Sequence, residues 1–116
     1  MPGRRPKLHL PYADWPATDR KLWQRAFSSD DPFDGGAGMC LAQTSKQRYL
    51  VGWRRFLGYL ALEDPDALEV APAHRLTRQR IHGFIEHLRQ TNGAHSVAIQ
   101  VEAMYHAARV MMPEED

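Results

Sequence analysis

Histidine, glutamate and cysteine side chains are the groups in this sequence that could bind a metal or move a proton. His82, Glu86 and His87 stand nearest to a known pattern, but their spacing is H-x-x-x-E-H and the inverted zinc-protease pattern is H-x-x-E-H. Five helical residues turn the two histidines well apart, so they cannot easily share an ion. We interpret the cluster as a surface helix face, and expect no metal and no cofactor.

The glycines and the single cysteine offer two further sites to consider. Gly35, Gly36 and Gly38 suggest a phosphate loop, but no Gly-Lys-Ser/Thr follows them and no strand precedes them, which favours a flexible connector. Cys40 has no basic surroundings that would lower its pKa, so a structural cysteine is the better interpretation. One cysteine excludes an internal disulfide bond and fits a reducing cytosol.

His106 and Arg109 have the H-x-x-R spacing that places two side chains on one helix face, with Tyr105 beside them. Tyr105 also belongs to an apolar stripe, and no second basic site accompanies the pair. We interpret the spacing as coincidence. The sequence offers no coherent set of acid, base and nucleophile, and we expect this chain not to be an enzyme by itself.

The element that organises these side chains is the proline-free stretch 41–62, which reads as one amphipathic helix. Its apolar stripe consists of Tyr49, Trp53, Phe56, Leu57 and Leu60. Its cations are Lys46, Arg48, Arg54 and Arg55. Because no acid occurs between Asp34 and Glu63, nothing local neutralises this charge. Two interpretations stay open: a nucleic-acid-binding face, or a solvated face of good helix formers.

Composition limits the class of protein. The chain has 116 residues, of which 43% are apolar and 25% charged, which suits one globular domain. The net charge is +1, but residues 1–60 carry ten Lys/Arg against five Asp/Glu and residues 61–116 carry five against nine. This asymmetry allows a basic face without a basic chain. We see no signal peptide and no membrane span, and expect a cytoplasmic protein.

The first half of the chain reads as an arm, a helix and a loop. Residues 1–13 are expected to be a disordered or extended basic arm. A helix over about 15–28 follows, with Asp14 as its cap and an apolar stripe made by Trp15, Leu22, Trp23, Ala26 and Phe27. Residues 28–38 are a loop by composition. The long helix then ends near Glu63, because Asp64 precedes Pro65 and is pushed out of the helical region.

The second half contains two more helices. Leu68 and Val70 are expected to fix the connector 66–75 to the core, and Thr77 to cap a third helix with its apolar stripe at Ile81, Phe84, Ile85 and Leu88. Asn92-Gly93 reads as the C-terminal cap of that helix. The last helix begins near His95 or Ser96 and ends at Pro113. Its expected buried face comprises Val97, Val101, Met104, Tyr105, Ala108 and either Met111 or Met112.

Four helices without a strand predict an all-α, compact four-helix bundle. The predicted domain covers residues 14–112, and residues 113–116 begin a linker. Within it, the motifs run in a recognisable order: TS at 44–45, Y at 49, W at 53, RFLGYL at 55–60, LT at 76–77, FI at 84–85, HLR at 87–89 and NGAHS at 92–96. This ordered set, over residues 41–113, resembles the N-terminal core-binding (SAM-like) domain of tyrosine recombinases, the phage-integrase family. Residues 10–40 resemble the extra N-terminal helix of some members.

The resemblance implies a DNA-binding module of a site-specific recombinase that clamps duplex DNA. A separate C-terminal domain, absent here, would cleave and rejoin strands, so Tyr105, His106 and Arg109 inherit no catalytic role. By position, nine residues are expected to face DNA: Thr44, Ser45, Lys46, Gln47, Arg48, Arg55, His95, Ser96 and Gln100. The expected partners are double-stranded DNA and, on DNA, other recombinase protomers. We expect this chain alone to be a monomer, because the family's exchanged contacts come from the absent domain.

The expected roles follow from chemistry. Hydroxyls and free N–H groups at a helix start suit phosphate, the cations would release counterions, and Gln47 or Gln100 could read an adenine edge. Arg4, Arg5 and Lys7 could add a basic arm on the DNA backbone or be a solubilising tail. The alternative function is a stand-alone protein–protein interaction domain that uses surfaces at Met111, Met112 and Phe33.

Overall fold

The structure is a computed structural model and describes residues 9–27 and 43–112. These ranges contain four α-helices, namely α1 (Ala17–Ala26), α2 (Gln43–Glu63), α3 (Arg78–Arg89) and α4 (Ala94–Met111). Three short 3-10 helices connect or precede them, at Tyr12–Asp14, Pro65–Glu69 and Pro72–Arg75. No strand occurs in the two described ranges. The predicted all-α class with four helices is therefore confirmed.

Helix α2 lies at the centre and packs most extensively against α4. Its predicted stripe supplies the core, because Trp53, Phe56, Leu57 and Leu60 are all fully buried. Phe84 of α3 meets this stripe edge-on, with its ring centroid 5.3 Å from that of Phe56. The apolar spacing of the sequence thus identifies the buried face of the longest helix correctly.

The crossing of α2 and α4 depends on Gly52. A Cβ atom built at this position would lie 2.8 Å from the carbonyl carbon and Cβ of Ala103 and 2.8 Å from the backbone nitrogen of Met104. Contacts this short with backbone atoms cannot be relieved by rotating a side chain. Glycine at position 52 is therefore what allows the two helix backbones to approach this closely.

Two helix boundaries confirm local sequence rules. Helix α2 ends at Glu63, and Asp64, which precedes Pro65, has the non-helical dihedral angles φ −152° and ψ 67°. Thr77 caps α3, because its Oγ1 accepts a hydrogen bond of 3.1 Å from the backbone N–H of Arg80. Both signals are local in the sequence, which explains their success.

Other local predictions were wrong in whole or in part. Asp14 lies in the first 3-10 helix, and α1 is preceded by Pro16 without any side-chain cap. Gly93 has φ −73° and opens α4, while the carbonyl of Leu88 accepts hydrogen bonds from the backbone N–H groups of Thr91 and Asn92 and from the side chain of Asn92. Asn92 therefore caps the C-terminus of α3 as predicted, whereas Gly93 belongs to α4, which begins at Ala94.

Burial corrects two further predictions. Val70 is 38% exposed, so Leu68, which is partly buried, fixes the connector without it. Tyr105 is 42% exposed and lies outside the core. Met111 and Met112 are both buried, where the stripe predicts one or the other, and they consequently offer no surface to a partner protein. Phe33, Cys40, the glycines at 35, 36 and 38, and the cations at 4, 5 and 7 lie outside the described residues.

A buried ion pair that the sequence did not reveal joins α1 to the connector. Asp19 and Arg75 both have no exposed side-chain surface, and Arg75 Nη1 lies 2.8 and 2.6 Å from the two carboxylate oxygens of Asp19. Trp53 Nε1 of α2 donates to the same carboxylate at 2.9 Å. The Nε and Nη2 atoms of Arg75 donate to the carbonyls of Ala67 and Leu68 at 2.8 and 3.1 Å. One carboxylate thus ties together three segments of the fold.

The segment before α1 also belongs to the fold. The backbone N–H of Leu10 donates to the carbonyl of Arg54 at 3.0 Å, and Trp15 Nε1 donates to the carbonyl of Leu10 at 2.9 Å. Leu10 and Tyr12 pack against the core. Residues 10–12, which the sequence analysis assigned to the arm, are therefore part of the folded unit.

Replacing Gly52 by alanine is expected to lower the free energy of unfolding by about 2 kcal/mol, because overpacking against a backbone outweighs the gain in helix propensity of about 1 kcal/mol. Chemical denaturation of both proteins measures this difference. Gly93→Ala is the matched control, since a Cβ there has no atom within 4 Å, and its effect should stay below about 1 kcal/mol. Equal effects at the two positions would contradict the close crossing.

Removing one partner of the buried pair is expected to be severe. Asp19→Asn or Arg75→Met should each lower the free energy of unfolding by about 3–5 kcal/mol, because one charge stays buried without its partner. The double variant should lose clearly less than the sum of the two, which a double-mutant cycle measures. Glu86→Gln is the control: its ion pair with Arg89 is mostly exposed and is expected to matter by less than about 0.5 kcal/mol.

Candidate nucleic-acid interface

Helix α2 carries four cations, and its one acid, Glu63, is its last residue. Three arginines outside α2 have carboxylate partners: Arg75 with Asp19, Arg80 with Asp64, and Arg89 with Glu86. Within residues 9–27 and 43–112, the structure pairs none of the α2 cations with a carboxylate: Lys46, Arg48, Arg54 and Arg55. Charge that the fold leaves unneutralised is available to an external anion.

Arg55 is connected to the start of α4 by a side-chain network. Its Nη1 donates to Oε1 of Gln100, and Nε2 of Gln100 donates to Ser96 Oγ at 2.9 Å and to Asn92 Oδ1 at 3.2 Å. Ser96 Oγ lies 3.4 Å from Asn92 Oδ1, and Asn92 donates to the carbonyl of Leu88. We name these four residues, Arg55, Asn92, Ser96 and Gln100, the polar junction.

The polar junction contains three of the nine predicted DNA-facing residues: Arg55, Ser96 and Gln100. Arg55 is more than 40 positions away from the other two in sequence. Both ends of the Gln100 amide are engaged inside the junction. Gln100 therefore holds Arg55 in place, and reading an adenine edge would require it to leave these bonds first. The Nε atom of Arg55 is buried without a hydrogen-bond partner, whereas Nη1 carries the bond to Gln100.

The first turns of α2 hold the other predicted residues in two different settings. Thr44, Gln47 and Arg48 are exposed. Ser45 is half-buried, and so is Lys46, whose ammonium lies 5.0 Å from the ring centroid of Phe27. This cation–π contact directs Lys46 toward the segment that follows α1. Lys46 consequently contributes both a contact with Phe27 and a positive charge, while Arg48 contributes an exposed positive charge.

Arg48 and Arg55 lie on the same edge of α2. They are seven residues apart, which corresponds to two turns and about 10.5 Å along the axis. Gly52 and its contact with Ala103 lie between them. This edge therefore carries one cation on each side of the α2–α4 crossing. The distance between the two cations along the helix is comparable to the width of the DNA major groove, which is about 12 Å.

Two residues near the start of α4, His95 and Asn92, differ from the prediction: the structure leaves His95 outside the polar junction and brings Asn92 into it. His95 is exposed, as expected for the start of the helix. In the sequence analysis, Asn92 is interpreted as a helix cap only and is not included among the DNA-facing residues. The signal that could have identified it is its spacing of four and eight residues from Ser96 and Gln100, which aligns the three polar side chains along one face.

On the other side of Gly52, an aromatic contact closes the α2–α4 boundary. Tyr49 stacks on His106 with ring centroids 5.3 Å apart and planes inclined by 27°. His106 Nε2 also lies 3.8 Å from a carboxylate oxygen of Glu102. His106 is thus occupied by packing, and its H-x-x-R spacing to Arg109 reflects helix periodicity.

The described residues form neither a metal site nor a membrane span. Within the described ranges, no three His, Cys, Asp or Glu side chains lie close enough together to hold a metal ion. His82 is exposed and His87 is half-buried against Tyr59, with ring centroids 5.3 Å apart. In the same part of the chain, no helix has both the length and the apolar character needed to cross a bilayer.

Comparison with known proteins yields no relative: no family model, no curated protein and no solved structure matches this chain.

Gln100→Met is expected to lower the free energy of unfolding by about 1–2 kcal/mol, because it removes the acceptor of Arg55 and the donor to Ser96 and Asn92. Gln79→Met is the matched control, since Gln79 is exposed on α3 and has no side-chain hydrogen bond within the described structure. It should change stability by less than about 0.5 kcal/mol. Similar values for the two variants in urea denaturation would show that the junction contributes nothing to stability.

Proposed function

We propose that this chain is a DNA-binding module of the site-specific tyrosine recombinase kind, and that it grips duplex DNA with the edge formed by α2 and the start of α4. The observation that carries the proposal is the polar junction. It links the two helices that the sequence resemblance assigns to DNA, and it does so through an arginine without a carboxylate partner in the described structure.

Electrostatics supports the proposal. Arg48 and Arg55 would each neutralise a phosphate, releasing counterions in a term that is sensitive to salt and blind to sequence. Thr44 and Ser96 supply hydroxyl groups in the first turns of α2 and α4, and the free backbone N–H groups and helix dipole at the start of α4 also favour phosphate.

Strand cleavage forms no part of the proposal for this chain. The residues that match a recombinase catalytic spacing by chance have other roles: His106 packs on Tyr49, and Tyr105 lies on the opposite side of α4 from Gln100. A cleaving tyrosine with its arginines and histidines would belong to a further domain. The module would bind the duplex and fix the position of the protein along it.

A salt-titrated binding assay with a fluorescent duplex tests the proposal. Arg48→Glu is expected to weaken binding at least about tenfold at low salt and to reduce the slope of log K against log salt by about 0.9, the value for one phosphate contact. Arg48 is preferable to Lys46 because its side chain is exposed, whereas Lys46 lies over the ring of Phe27, so the fold should be unaffected. Thermal unfolding of the variant verifies this.

Arg78→Glu is the matched control. It makes the same change in net charge at an exposed cation of α3, away from the proposed edge. A purely non-specific attraction to the net charge of the protein would weaken both variants alike and would contradict the placement of the interface. Absence of binding at low salt by the unaltered chain would overturn DNA binding altogether.

A further inference from the structure

An open apolar groove lies between α3 and α4, on the side of α4 away from the polar junction. Its volume is about 400 Å³. Val97 is buried in it, Ile85 and Val101 are half-buried, and Tyr105 is 42% exposed. The remaining lining residues are Arg89, Ala94, Ala98 and Glu102. The exposed tyrosine that the sequence analysis had assigned to the core is thus one wall of this groove.

The α4 side of the groove has the spacing of a helix-packing seam. Ala94, Ala98, Val101 and Tyr105 follow one another at steps of four, three and four residues, the pattern that meets a partner helix in coiled-coil packing. The seam spans about 16 Å, eleven residues at 1.5 Å each. Its occupant should therefore be a helix lying along α4.

The side-chain sizes along this seam complement themselves in the antiparallel direction. If a second α4 lies antiparallel across a two-fold axis between positions 98 and 101, Tyr105 faces Ala94 of the other copy and Val101 faces Ala98. Each large side chain then meets a small one. A parallel arrangement would instead place Tyr105 on Tyr105 and leave a gap between the alanines.

The charges at the groove rim agree with the same arrangement. Arg89 at the end of α3 lines the groove beside the start of α4 and makes a mostly exposed ion pair with Glu86, and Glu102 lies in the second half of the seam, next to Val101. In the antiparallel pair, Glu102 of each copy approaches the end of the seam where Arg89 of the other copy lies, which gives two reciprocal attractions. A parallel pair would bring the two Glu102 side chains together and repel.

We propose that the α3/α4 groove is a self-association surface, in which α4 of a second copy of this chain packs antiparallel against α4 with Arg89 and Glu102 paired in both directions. Size and charge, two separate properties of the seam, select the same partner and the same direction. This surface is independent of the proposed DNA edge, and its test contains no DNA. A dimer formed through it replaces the monomer that the sequence resemblance implied.

Sedimentation velocity over a series of protein concentrations tests the dimer. Glu102→Arg and Arg89→Glu are each expected to weaken association at least about tenfold, and the double exchange should return it to within about threefold of the unaltered chain. Circular dichroism at each concentration verifies that the variants remain helical. A chain that stays monomeric throughout, or a double variant as weak as the single ones, overturns the proposal.

Two further variants fix the surface and the direction. Ala98→Gln fills the seam and should abolish the dimer, while Ile99→Gln at the neighbouring exposed position, which does not line the groove, should leave it unchanged. Glu102→Gln should weaken an antiparallel dimer and strengthen a parallel one. Equal effects at positions 98 and 99, or a stronger dimer with Glu102→Gln, would show that the contact is a different one.

Discussion

The ion pair between Asp19 and Arg75 is the constraint on which the arrangement of the fold depends. Both side chains are fully buried, and burying two charges is costly unless every donor and acceptor is satisfied. That demand is met here by Trp53 and by the carbonyls of Ala67 and Leu68. Helix α1, helix α2 and the connector before α3 must therefore come together in one geometry, because any other arrangement leaves a charge unpaired.

The same network sets the rotation of α2 about its axis. Trp53 is fixed from one side by the carboxylate of Asp19, and the neighbouring Gly52 then faces Ala103 of α4 at close range. With the rotation fixed in this way, Arg48 and Arg55 fall on the edge beside α4, and Arg55 reaches Gln100. A buried pair far from the surface thus determines where the unpaired cations of α2 are presented.

Sequence reasoning succeeded where the cause is local and failed where it is distant. Helix stripes, the Asp64-Pro65 stop and the Thr77 cap each depend on a few adjacent residues. The partners Asp19 and Arg75 are 56 positions apart, and only the spacing of Asp19 from Trp15 and Trp23, four residues each way, hinted that an acid lies on a buried face. Tyr105 was misplaced because α4 is apolar on two sides, and periodicity alone cannot tell which of them meets the core. The polar junction likewise needed the crossing angle of two helices, which no single segment encodes.

Helix α4 has two faces that differ in chemistry and lie on opposite sides. Ser96 and Gln100 look toward α2 and its cations, whereas Ala98 and Val101 look toward the open groove. A helix partner in the groove would leave the polar junction uncovered, so the two surfaces can be occupied together. A two-fold dimer through the groove would carry two polar junctions, one on each copy. Two linked contacts with a single duplex bind more tightly than either alone when the geometry allows both. Self-association would then strengthen binding to DNA, because α4 contributes to both surfaces and sets their relative positions.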